Sequence, residues 1–134
     1  METDFGSEIG RQALDILGRA IAQVYDTSLG QVEVMAQQAQ QGRGRTALTS
    51  MTPNQIEAVR IAAPDIVETV LFELLAHLDW HETTHGPVRL SVRVGDQIVE
   101  NPGACSDNLA GELIVDGGWL ERFATNPIAP RGWT

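Results

Sequence analysis

At Pro87 the spacing of apolar residues changes from the period of a helix to the period of a strand. That switch restricts the chain to helices first and sheet second. Before it, Ile66, Val67, Val70, Leu71, Leu74, Leu75 and Leu78 recur at helical spacing, a broad stripe expected to form the central core helix. After it, Val88, Leu90, Val92 and Val94 alternate with Arg89, Ser91 and Arg93, the pattern of a half-buried strand. Gly95-Asp96 suits a two-residue hairpin turn, with Gln97 to Glu100 as the return strand. Asn101-Pro102-Gly103 breaks that strand, and a short helix or turn is expected around Ser106 to Ala110, with Ser106 as its cap. Leu113-Ile114-Val115 has the composition of a third strand, and Trp119, Leu120 and Phe123 are spaced for one face of a short terminal helix.

The first half carries further start and stop signals. Ile9, Ala13, Ile16, Leu17, Ala20, Ile21 and Val24 make one helical stripe, which Asp26-Thr27-Ser28 is expected to interrupt. Ser28 and Gln31 have capping-box spacing ahead of a second stripe of Val32, Met35, Ala36 and Ala39. Residues 41–46, including Gly42-Arg43-Gly44-Arg45, read as a flexible connection. Thr52, Pro53 and Gln55 combine a cap, a first-turn proline and a reciprocal glutamine, with Met51 and Ile56 at the two staple positions. Pro64 is expected to end a short helix near Ala62 and to start a longer one. These signals predict an α+β fold in one domain: four helices, a small antiparallel sheet, a short terminal helix and an irregular tail over 125–134.

A chain of 134 residues with 43% apolar and 20% charged residues can bury a core of its own. The lone Cys105 excludes an internal disulfide framework. No apolar run is long enough to cross a bilayer, and the acidic Met1-Glu2-Thr3-Asp4 start shows no signal-peptide pattern, so a cytoplasmic protein is expected. Charge says more. The net charge is −9, and residues 65–121 hold eleven acids against only Arg89 and Arg93, so that segment carries the whole imbalance. Such a field repels nucleic acid and anionic membranes and attracts a basic protein. Asp96, Glu100, Asp107, Glu112 and Asp116 are the candidate contact residues for such a partner.

One motif points elsewhere. His81-Glu82-Thr83-Thr84-His85 has zincin spacing, in which two histidines four apart share a helix face and bind one zinc. Glu82 would then activate the metal-bound water as general base. Against this, Gly86-Pro87 follows at once and disfavours helix at its own start. A helix running on through residue 81 would also aim His81 along the stripe of Ile66, Val70 and Leu74, expected to face the core. Adventitious zinc or nickel binding by His77 and His81 is a third expectation. Cys105 and Ser106 have no histidine assigned to activate them, and no phosphate-cradling loop is present.

Residues 106–123, with Ser106-Asp107-Asn108-Leu109-Ala110-Gly111-Glu112 followed by Gly118-Trp119-Leu120-Glu121-Arg122-Phe123, resemble a signature of small bacterial proteins. Most of these have no assigned function, and some are similar to immunity proteins of toxin systems. The likeness covers about residues 52–124, with Asn108 standing where glycine is usual. It implies a leucine-rich helix, a short hairpin and a Gly-Trp-Leu-x-x-Phe ending in that order, and an immunity-like role. Two functions therefore fit the sequence. The first is a non-enzymatic acidic protein that binds a basic partner; the second is a small zinc-dependent hydrolase.

Overall fold

The fold is α+β in the computed structural model, which describes residues 8–44, 47–78, 90–100, 102–106 and 108–126. Helix α1 (Glu8–Gln40) runs for 33 residues, about 50 Å. The expected interruption at Asp26-Thr27-Ser28 does not occur, because the buried positions Gly18, Ala22, Tyr25, Ala36 and Ala39 keep one helical phase across it. The Asp26 side chain, which could compete with its own backbone, is instead taken up by the amides of Thr125 and Asn126. The buried face is also turned from the expected stripe. Gly10, Leu14, Gly18 and Ala22 lie inside, while Ile16, Ala20 and Val24 are exposed.

Helix α1 stops in a Schellman motif: the Gly42 amide donates to Ala39 and the Arg43 amide to Gln38, with Gly42 at φ 71°. A 3-10 turn at Ala47–Ser50 leads to α2 (Pro53–His77). Here the sequence signal is reproduced in full. The Thr52 hydroxyl accepts from the Gln55 amide at 3.2 Å, and the Gln55 side chain accepts from the Thr52 amide at 2.9 Å. Ile56 packs against Ala36 and Ala39, with Met51 beside them.

Pro64 does not divide α2 as expected. A proline inside a helix costs about 3 kcal/mol, but both halves of α2 are held from outside. Ile56 is fixed by the end of α1, and Leu71 and Leu75 by its beginning, so tertiary packing overrides the local break. The same two clusters make the helices antiparallel. Among the described residues, the four helices expected before the sheet are therefore two long ones.

Strand β1 (Ser91–Val94) pairs with β2 (Gln97–Glu100) around Gly95-Asp96, with Val92 opposite Val99 and Gly95 at φ 61°. Val92 points into the core while Ser91 and Arg93 are exposed, the alternation the sequence predicts. Among the described residues the sheet has two strands. Leu113-Ile114, expected in a third, belong instead to a single turn, α3 (Gly111–Ile114), with Leu113 fully buried. The Asn108 side chain accepts from the Gly111 amide and starts that turn, while Ser106, expected to cap a turn around 106–110, accepts from the Asn108 amide. Gly117 at φ 73° then carries the chain into α4 (Trp119–Phe123).

Trp119 ties this C-terminal layer to the helical hairpin. It is 1% exposed, and its indole lies where a side chain on Gly18 would sit: a Cβ there would be 2.5 Å from Trp119 Cδ1. Removing an indole of this size from water is worth roughly 4–6 kcal/mol before entropy is counted. Around it Leu14, Leu17, Leu75, Leu109, Leu113 and Leu120 complete one core.

Two alanine variants in the same helix should therefore differ in sign. Gly18→Ala gains helix propensity yet overpacks the indole, and should lose about 1–3 kcal/mol in urea unfolding. Gly30→Ala meets nothing within 4 Å and should gain about 0.5–1 kcal/mol. Equal effects from the two variants would contradict the placement of Trp119.

Candidate partner-binding surface

The acids of 65–121 divide by what holds them. Glu68 is buried in α2. Glu112 is half-buried and accepts from the Ser106 hydroxyl at 2.9 Å, while Ser106 Oγ accepts from the Asn108 amide at 3.2 Å. Glu121 reaches back one turn to accept from the Gly117 amide at 2.6 Å. Glu112 and Glu121 thus hold local turns, and Glu68 is turned inward. Asp65 and Glu73 on α2, Asp96 in the hairpin turn, Glu100 at the end of β2 and Asp116 before Gly117 are all exposed. Of the five expected contact residues, Asp96, Glu100 and Asp116 thus face solvent, Glu112 turns toward Ser106, and Asp107 lies outside the described residues.

Helix α2 ends at His77 with Leu78 as its cap residue, and His81, Glu82 and His85 lie outside the described residues. The His77 Nδ1–H donates to the Glu73 carbonyl at 2.9 Å. Among the described residues no group of three or more His, Cys, Asp or Glu side chains is arranged to hold a metal ion. The stripe of Ile66, Val70 and Leu74, expected to face the core, is exposed. The core face of α2 is made by Leu71 and Leu75 with Val67 and Leu78.

Three features have no local sequence signal. Arg60 of α2 grips Glu33 of α1 through two bonds, Nε to Oε2 and Nη2 to Oε1, both 3.0 Å. Glu33 first, and Glu57 beside it, push the guanidinium above its ordinary value, so it stays charged. This pair borders a groove of about 660 Å³ between the helices, with Leu29, Val32, Val34, Ile61 and Pro64 in its walls. Because Glu33 already occupies the arginine, the groove offers a mainly apolar lining.

The second feature is a cleft of about 380 Å³ bounded by Arg19, Gln23, Asp26, Arg122 and Phe123. Arg19 and Arg122 each stand 4.5 Å from the Phe123 ring centre, and Arg122 also pairs with Asp15 at 3.0 Å. The third is Asp26 itself. Its carboxylate accepts from the amides of Thr125 and Asn126 and from the Asn126 side chain at 2.9–3.1 Å. Burial pushes this carboxyl up, but those bonds together outweigh it and hold the group below its ordinary 3.8.

No family model, no curated protein and no solved structure matches this chain.

Asp26 gives the acid limb of stability a defined origin. A depressed folded pKa adds stability above the ordinary value, and that contribution disappears as pH falls through the folded pKa. Wild type should exceed Asp26→Asn at neutral pH by on the order of 1 kcal/mol, discounted for solvent. In urea unfolding the gap should close as pH drops below 3.8. A gap of equal size at neutral and acid pH would remove Asp26 from that role.

Proposed function

We propose that this chain acts without chemistry of its own, as a cytoplasmic protein that binds a basic protein partner in an immunity-like role. One observation carries the proposal: among the described acids of this region, Asp65, Glu73, Asp96, Glu100 and Asp116 remain exposed. Between Arg60 and Arg89 the sequence has no basic residue apart from its histidines, so little on that stretch offsets the acids. Exposed carboxylates of one sign raise the local concentration of an oppositely charged protein and speed its encounter. The same field disfavours nucleic acid. Among the described residues no helix is long and apolar enough to cross a membrane.

The test is kinetic. The chain is immobilised, basic proteins are recovered from its native host, and association with the recovered protein is followed by surface plasmon resonance. Replacing Asp96, Glu100 and Asp116 together by Lys should slow association roughly tenfold and change dissociation less. Raising salt above the physiological level, where the screening length is about 8 Å, should slow the wild type in the same way. An acidic partner, or an association rate indifferent to salt and to the reversals, would contradict the proposal.

A further inference from the structure

Helix α2 carries two apolar faces, and the fold uses one. Leu71 and Leu75 are buried, with Val67 packed beside them. Ile66, Val70 and Leu74 each precede one of those residues, which turns their stripe about 100° from the core face. They are 58%, 62% and 49% exposed. Isolated surface apolar residues are ordinary, but three at i, i+4 and i+8 form a continuous ridge about 12 Å long. A helix that is apolar on more than its core side is normally covered by something.

We infer that this ridge docks an amphipathic helix of the basic partner, apolar along its contact stripe and lysine- or arginine-rich on its flanks. This rests on the proposed acidic-partner function and adds to it the face and the shape of what binds. Charge selects the occupant. Asp65 and Glu73 are exposed on the same helix as the ridge, and no arginine or lysine follows Arg60 on α2. A second copy of the chain, itself at net −9, would bring the same acids against them. A helix with cationic flanks meets the acids with opposite charge while its apolar stripe covers Ile66, Val70 and Leu74.

Three synthetic peptides of about 18 residues, long enough for measurable helicity, provide the probes. One has a leucine stripe with lysine flanks, one the same stripe with glutamate flanks, and one the lysine–leucine composition scrambled to abolish the stripe. Fluorescence anisotropy against the full chain should show saturable one-to-one binding of the lysine-flanked stripe alone. Val70→Asp and, independently, Ile66→Gln should weaken it about tenfold or more, as expected for an apolar contact near the centre of an interface. Both replaced side chains are more than half exposed, so circular dichroism of the variants should match wild type.

If the scrambled lysine peptide binds as tightly as the striped one and the ridge variants change nothing, the ridge is not the site. Loss of that same binding on reversing Asp96, Glu100 and Asp116 would leave the acidic-partner function standing. Equal binding of the glutamate-flanked peptide would overturn both. Self-association of the wild type, abolished by Val70→Asp, would identify a second copy as the occupant and overturn the inference. Absence of binding by all three peptides would overturn it too.

Discussion

The fold turns on the contact between Gly18 and Trp119. A residue in the middle of a long helix has no side chain, and the indole of a residue a hundred positions later fills the space. Without that approach the hairpin, α3 and α4 would share fewer buried neighbours with α1. Leu109, Leu113 and Leu120 share one buried cluster with the indole and with Leu14, Leu17 and Leu75. Secondary bonds reinforce the docking at the surface: Arg122 to Asp15, and Asp26 to the backbone of Thr125 and Asn126. The layer that holds Asp96, Glu100 and Asp116 is thereby fixed to the helices that hold Asp65 and Glu73.

Gly118 makes a similar demand on the approach to Trp119. A Cβ there would lie 2.5 Å from the Glu112 carbonyl and 2.8 Å from that of Val115, both backbone atoms that cannot swing away. Gly117, at positive φ, and Gly118 thus set the direction in which α4 presents its tryptophan. Glu121 completes the turn by accepting from Gly117. An acid inside a strongly negative segment is thus spent on local geometry, which is why counting charges alone overstates the surface available to a partner.

The hairpin and the α2 start were legible in the sequence because their causes are local. Period-two alternation defines β1, a Gly-Asp pair closes the turn, and Thr52, Pro53 and Gln55 place a helix start within one turn of chain. The continuity of both long helices was not legible, because it depends on distant contacts. Asp26 reads as a breaker until Thr125 and Asn126 claim its oxygens, and Pro64 reads as a stop until Ile56 and Leu71 are held by opposite ends of α1. The face of α2 was misassigned for a related reason. Where Ile66-Val67, Val70-Leu71 and Leu74-Leu75 are all apolar pairs, period alone cannot say which member of each faces inward. For the surface, the exposure of Asp96 and Asp116 beside turn glycines follows from local sequence, whereas the Glu112–Ser106 bond and the Arg60–Glu33 fork depend on tertiary placement.

Docking of the acidic layer through Trp119 is tested most directly by a double-mutant cycle between positions 18 and 119. Urea unfolding is measured for wild type, Gly18→Ala, Trp119→Leu and the double variant. If the indole occupies the space above Gly18, the alanine that overpacks wild type costs little or nothing once leucine replaces tryptophan, a coupling of about 1 kcal/mol or more. Additive costs, with Gly18→Ala equally harmful in both backgrounds, would show that Trp119 does not rest on Gly18 and that the C-terminal layer is held to the hairpin in some other way.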